Sequence, residues 1–139
     1  MTDFIALKSA DPGGTLLFSG GTHDLDTGST ITGMGDIRVT GGSLRAIAPV
    51  DALAHLDGGT IQGLAPDGEF RFLDGSLWTN GYLSGQIVIP DGVTLDVDGS
   101  DPAIRRLNYD ASLDILGTLK WNGPGYIQAF EKNRIEIHN

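Results

Sequence analysis

The side chains that could do chemistry in this chain are mostly carboxylates. Asp24 and Asp26 are two residues apart, as are Asp96 and Asp98, so each pair shares one face if its segment is a strand. Two carboxylates on one face are the arrangement of a glycosidase acid and nucleophile, or of half a calcium site. The neighbouring sequence supplies no partner that would tune a pKa. We therefore interpret both pairs as solvated acidic faces and predict no catalytic residue.

Metal ligands are the second class of candidates. Asp96, Asp98 and Asp101 approach the spacing of a calcium loop, but the residues at the sixth and twelfth positions, Asp101 and Leu107, replace the Gly and Glu that an EF-hand requires. We expect no cofactor, and a loose calcium site at these three aspartates is the alternative. The three histidines, His23, His55 and His138, are scattered, and cysteine is absent.

Aromatic and cationic side chains complete the candidates. Trp78 follows Leu77, which we expect to point inward, so Trp78 is predicted to point outward with Tyr82 four residues on. Such a pair is typical of a shallow sugar-binding surface, of a subunit interface, or of packing against a corner loop. Trp121 has the opposite parity and is expected in the core. Arg105 and Arg106 are expected on a solvated helix face.

A repeated tripeptide indicates the elements that must position these residues. Gly, then Ser or Thr, then Leu or Ile begins at positions 14, 42, 59, 75 and 117, with looser copies at 28 and 92. Apolar residues alternate with polar ones between the copies, as in Leu95-Asp96-Val97, which predicts short strands with one buried face. One unit of 14 to 18 residues cannot bury that face alone.

Stacked copies of such a unit form a solenoid. The sequence therefore predicts an all-β protein, a right-handed parallel β-helix of about six to seven short coils. An antiparallel sandwich or jelly roll is the alternative, because it also has many short strands at regular spacing. We expect a single domain over residues 1–139, with a possible N-terminal cap at 1–12 and a helical insert at 101–108 that begins at Asp101 and Pro102.

Composition excludes several classes of function. The 139 residues carry a net charge of −9, which disfavours nucleic acid as a partner. Residues 1–100 hold 13 acidic and 4 basic side chains, whereas residues 101–139 hold 5 of each. No apolar run is long enough to insert into a membrane. No signal peptide is visible in this chain.

Parts of the sequence resemble known β-helical families. Residues 75–97, which contain Gly75-Ser76-Leu77 and Gly92-Val93-Thr94-Leu95, resemble repeats of bacterial surface proteins of the filamentous-haemagglutinin and autotransporter-passenger type, and residues 117–127 look similar. Residues 13–23 look instead like the first coil of pectate-lyase-like β-helices, which include phage tailspikes. The resemblance implies a parallel β-helix that is extracellular, on a bacterial cell surface or in a virion. This chain is shorter than most such surface proteins.

These observations lead to two hypotheses of function. The first is a non-catalytic structural module for surface display, adhesion or virion assembly. The alternative is a carbohydrate-binding or carbohydrate-active β-helix protein, with cell-surface polysaccharide as its partner and Trp78 and Tyr82 at its surface. Ile135 and Ile137 end the apolar pattern without an evident cap. We therefore expect a homo-oligomer, either a side-by-side trimer or an end-to-end stack, unless the chain is a fragment.

Overall fold

The computed structural model describes residues 2–4, 7–10, 14–26, 30–33, 35–98, 105–108, 110–123, 125–130 and 132–138. The protein is 66% strand, and the described ranges contain no helix. None of these ranges accordingly offers a helix long and apolar enough to cross a membrane. Every strand pairing is parallel, and the strands stack as coils of a β-solenoid. The predicted parallel solenoid is confirmed and the antiparallel alternative is wrong.

The strands form three faces, each a stack of parallel strands along the solenoid. Face 1 contains β3 (Thr15–Phe18), β6 (Asp36–Val39), the first part of β9 (Ala54–Gly63), the first part of β11 (Ser76–Ile89), β12 (Thr94–Asp98) and β15 (Thr118–Asn122). Face 2 contains β1 (Thr2–Phe4), β4 (Thr22–Leu25), β7 (Ser43–Ala46), the end of β9, the middle of β11, β13 (Arg105–Leu107) and β16 (Ile127–Gln128).

The third stack completes each coil. Face 3 contains β8 (Pro49–Ala52), β10 (Glu69–Phe72), the end of β11, β14 (Ser112–Ile115) and β17 (Arg134–Ile137). A separate two-stranded sheet pairs β2 (Leu7–Ala10) with β5 (Thr30–Gly33). The residues proposed as an N-terminal cap therefore include two strands, β1 and β2, that pair in parallel with the strands of the next coil.

The solenoid makes about five turns, from β3 to β15, and β15, β16 and β17 form the last described coil. Partners in adjacent coils are separated by 17 residues for Ile37 and Ala54 and by 26 for Gln86 and Ser112. The coils are longer than the predicted unit because the tripeptide occurs on more than one face. Its copy at Ser43 lies on face 2, for example, and its copy at Ser76 lies on face 1. Seven tripeptides therefore overcount the turns.

The interior is filled by rows of apolar side chains, one from each coil. Leu44, Ile61, Leu83 and Leu107 form such a row on face 2, and each is fully buried. The predicted inward positions of Leu95 and Ile89 are confirmed, since both are fully buried. Asp96 lies on the outer surface, as predicted. Val88 is in an outward row but is nearly covered.

Glycines at the corners allow the backbones of adjacent coils to come close together. Gly85 has φ +67°, and a Cβ built there would lie 1.8 Å from the carbonyl oxygen of Gly63 in the preceding coil. No L side chain fits that gap without a backbone shift. β11 can therefore turn from face 2 to face 3 without a break.

The prediction of a helical insert at residues 101–108 is wrong for residues 105–107. Arg105, Arg106 and Leu107 form strand β13, which pairs with β11 and β16. Residues 101–104 lie outside the described residues. The strand stack of face 2 continues through residues 105–107, where the helix was expected.

Candidate functional site

The last coil leaves the solenoid interior open at one end. In the described part of the chain, β15 pairs only with β12, β16 only with β13, and β17 only with β14. The outer edges of these three strands therefore carry main-chain N–H and C=O groups that no described strand pairs. Such edges are templates for pairing with another chain.

The apolar rows continue into this coil but are not covered there. Ile135 and Ile137 follow Leu113 and Ile115 in register, yet they are 47% and 70% exposed. Trp121 follows Val97 in the same way and is 39% exposed. We call the exposed apolar residues of this coil the end surface: Leu116, Trp121, Tyr126, Phe130, Ile135 and Ile137.

Charge distinguishes the end surface from the rest of the molecule. Residues 1–100 carry a net charge of −9, and residues 101–139 carry none. Two acidic solenoids repel each other through most of their surfaces. This repulsion is weakest in the C-terminal part of the sequence, which forms the end surface.

Trp78 was predicted to point outward, but the structure places it in the interior. It is fully buried, in register between Leu56 and Val97, and its indole Nε1 donates to the carbonyl oxygen of Gly81 at 3.4 Å. The outward side chain is instead its neighbour Leu77. Trp78 is therefore a core residue, available neither to a sugar nor to a lateral subunit contact.

The direction of Trp78 was predicted wrongly because of the position of Ser76. Ser76 lies in register with Leu95 and is 1% exposed, so it occupies an interior position where the tripeptide pattern predicted an outward one. Its hydroxyl donates to the carbonyl oxygen of Leu73 at 2.7 Å and accepts from the N–H of Ala54 at 3.1 Å. These two bonds compensate the burial of a polar group. They place Trp78 inward.

For Trp121 the predicted direction is correct but the predicted burial is not. Its parity was predicted correctly, because it continues the interior row of Val97. The side chain is nevertheless not buried, because no described coil covers it on the side away from β12. Its Nε1 donates to the carbonyl oxygen of Gly123 at 2.9 Å, and the guanidinium of Arg105 lies 5.6 Å from the ring centroid.

Arg105 was also predicted to be exposed to solvent, and it is also buried. It is 0% exposed, and its Nη1 donates to the carbonyl oxygens of Thr79 at 2.9 Å and Asp98 at 2.7 Å. Its Nε and Nη2 are buried and find no hydrogen-bond partner among the described residues. The guanidinium thus joins the backbones of two coils at the corner between faces 1 and 2.

Tyr82 lies on the outer surface as predicted, at 37% exposure. It is in register with Arg106 on face 2, whose guanidinium lies 5.9 Å from the ring centroid. Arg106 Nη1 also reaches the tyrosine hydroxyl at 3.5 Å. Arg106 belongs to this surface pair and not to a helix.

A polar groove of about 400 Å³ lies along the corner between faces 2 and 3. It is lined by Gly63, Leu64, Ala65 and Gly85 and by five polar side chains: Gln62, Ser84, Gln86, Asp110 and Ser112. Asp110 has a left-handed backbone conformation, with φ 60°. Amide, hydroxyl and carboxylate groups of this kind hydrogen-bond sugar hydroxyls.

The solvated acidic face expected at Asp24 and Asp26 is not found at Asp24. Asp24 is buried, and Arg45 in the next coil donates to its two oxygens at 2.6 and 2.8 Å. The bidentate pairing explains its burial, and it replaces the expected solvated face. Asp26 is partly buried beside it.

The loose calcium site stays a prediction. Asp96 faces Lys120 at 4.0 Å, and Asn122 Nδ2 donates to Asp96 Oδ1 at 3.4 Å. The carbonyl oxygen of Asp98 accepts from Arg105. Asp101 lies outside the described residues, so the geometry of the three aspartates together is not defined.

A polar network on face 1 was missed by the sequence analysis. Thr79 Oγ1 donates to Asp57 Oδ1 at 2.7 Å, Arg38 Nη2 donates to Asp57 Oδ2 at 2.9 Å, and His55 Nε2 lies 3.2 Å from Thr79 Oγ1. The four residues come from three successive coils. No local motif marks them, and the strand register alone brings them together.

The network shifts two pKa values. Hydrogen bonds from Thr79 and then Arg38 lower the pKa of the Asp57 carboxyl from 3.8. Desolvation, with the positive charge of Arg38, lowers the pKa of His55 from 6.5. Thr79 contacts both His55 and Asp57 of the preceding coil, and Arg38 joins a third coil to them through Asp57.

Comparison of the chain with protein-family models, with curated proteins and with solved structures gives no match. The solenoid fold thus rests on the strand pairing described above.

Proposed function

We propose that this chain is a non-catalytic structural β-solenoid module that assembles end to end through its end surface. The observation that carries the proposal is the exposure of Ile135 and Ile137, which continue buried interior rows. Apolar side chains in such rows are stable when another layer covers them. A second copy of the chain supplies an apolar, weakly charged surface of the same kind, which makes it the proposed partner.

The geometry favours end-to-end association over the side-by-side trimer. The trimer was expected to use Trp78, which is buried. A rod of two such modules joined at their end surfaces suits surface display, adhesion or virion assembly, and the proposed location is a bacterial cell surface or a virion. The adhesin and tailspike resemblance of residues 75–97 and 13–23 supports this assignment at the level of sequence pattern.

Light scattering after size-exclusion chromatography tests the proposal. The monomer has a mass of 14.6 kDa, and we expect a mass of at least a dimer at micromolar concentrations. Ile137→Lys places a charge on the end surface and should return the protein to the monomer. Leu17→Lys is the matched control, because Leu17 is also an exposed apolar residue, at 57%, but lies on a lateral face in β3.

Two results would contradict the proposal. One is a wild-type protein that remains monomeric across the micromolar range. The other is equal dissociation by Ile137→Lys and Leu17→Lys, which would show that association is not specific to the end surface.

Carbohydrate binding is the second candidate, favoured by the polar groove and by exposed Tyr82. Aromatic rings stack on the apolar faces of sugars, and the groove supplies hydrogen-bonding groups. Binding on a glycan array that is lost in Tyr82→Ala and Gln86→Ala would support it. Unchanged binding in both variants would place the sugar elsewhere.

A further inference from the structure

Three metal-ligating side chains converge on the outer surface of face 3, away from the groove. Asp114 in β14 and Glu136 in β17 are partners in register on adjacent coils. His138 follows Glu136 by two residues, and its Nε2 lies 3.7 Å from Glu136 Oε2. One ligand atom from each of the three lies within 4.8 Å of the other two.

One oxygen of the Asp114 carboxylate has no hydrogen-bond partner among the described residues. Its Oδ1 is inaccessible to solvent and accepts no hydrogen bond from the described residues. Glu136 lies directly opposite in the next coil, and two like charges at this position of a sheet repel each other. A cation held by one oxygen of each carboxylate would offset this repulsion.

Arg134 orients the second carboxylate. Its Nη2 donates to Glu136 Oε1, so Oε2 is the oxygen that faces His138. Ligating carboxylates are commonly held in this way, by a hydrogen bond to the oxygen that does not bind the metal. Arg134 is itself two-thirds exposed and lies beside the cluster.

We propose that Asp114, Glu136 and His138 form a binding site for a divalent cation of the zinc class. One imidazole nitrogen and two carboxylate oxygens are a three-residue zinc ligand set, with a fourth position left for water. The imidazole favours zinc over calcium, which takes oxygen ligands. The site shares β17 with the end surface but uses the residues that alternate with Ile135 and Ile137, and metal binding does not depend on the proposed assembly.

The geometry requires only side-chain rotation. Zinc bonds of about 2.0–2.1 Å in a tetrahedron place ligand atoms about 3.3 Å apart. Glu136 Oε2 and His138 Nε2 are already near that separation. The remaining adjustment falls on His138, whose side chain is half exposed and free to rotate.

Titration calorimetry with Zn²⁺ on the chelator-treated protein tests the site. We expect one Zn²⁺ per chain, and Asp114→Asn and His138→Gln should each weaken binding at least about tenfold. Asp51→Asn is the matched control, because Asp51 lies in the same outward row of face 3 but pairs with Arg71. It should leave zinc affinity unchanged. An excess of Ca²⁺ should not displace the zinc.

Ring signals of the three histidines in NMR spectra supply a second readout. Zinc should shift His138 and leave His23 and His55 in place. Absence of zinc binding by the wild type at micromolar concentrations would overturn the proposal. So would wild-type affinity in His138→Gln, a variant that changes a half-exposed side chain and retains the fold.

Discussion

Replacement of Trp78 by Ala tests the register of face 1 at its largest buried side chain. A buried aromatic removes about 150–250 Å² from water, worth about 5 kcal/mol at roughly 25 cal/mol per Å². Measured Trp→Ala changes in cores cost about 3–5 kcal/mol. The indole hydrogen bond to Gly81 is long, at 3.4 Å, and adds little. We therefore expect Trp78→Ala to lower the free energy of unfolding by about 4 kcal/mol.

Trp121→Ala is the matched control, since Trp121 lies in the same interior row but is 39% exposed. It should cost less than Trp78→Ala, because part of the Trp121 side chain already faces solvent. Urea unfolding followed by circular dichroism measures both variants. In a Trp121→Phe background Trp78 is the only tryptophan, and its fluorescence should be that of a dry environment. Equal losses in the two alanine variants, or fluorescence typical of a solvated indole, would refute the register.

The remaining predictions concern pH and backbone spacing. Because the pKa of His55 is lowered in the fold from 6.5, the unfolded chain binds more protons, and stability should fall as pH drops through about 6.5; His55→Gln should flatten this loss in thermal melts at stepped pH. Asp57, with a pKa lowered from 3.8, should add a further loss in more acidic solution. Gly85→Ala should destabilise the fold far more than Gly92→Ala in urea unfolding, because both have positive φ but only Gly85 abuts the preceding coil; similar losses would mean that the coils are not in close contact there.

Much of the fold could be predicted because the alternation of apolar and polar residues can be read from each short segment of the sequence alone. Leu95 and Ile89 were correctly placed inside from the polar residues on either side of them. Trp78 was not, because Ser76 takes an interior position only through hydrogen bonds to the backbone of Leu73 and Ala54. The bond to Ala54 depends on the register between coils, which the sequence pattern does not contain. Arg105 was misplaced for the same reason, since its carbonyl partners are contributed by other strands.

The candidate sites divide in the same way. Exposure of Ile135 and Ile137 followed from the pattern, because the apolar rows end with them. The cluster of Asp114, Glu136 and His138 could not be predicted from the pattern. Asp114 and Glu136 are 22 residues apart and become neighbours only through the pairing of β14 with β17. Positions that meet across coils can be found once the coil length is known. The sequence repeat underestimated that length.

Amide hydrogen exchange at low and high protein concentration tests end-to-end assembly most directly. In the proposed assembly, a second copy on the end surface covers the main-chain N–H groups at the outer edges of β15, β16 and β17, which no described strand pairs. The account predicts that their exchange slows as concentration rises, while exchange in the lateral strands β4 and β7 stays constant. Exchange in β15–β17 that is independent of concentration, or slowing confined to the lateral faces, would contradict it.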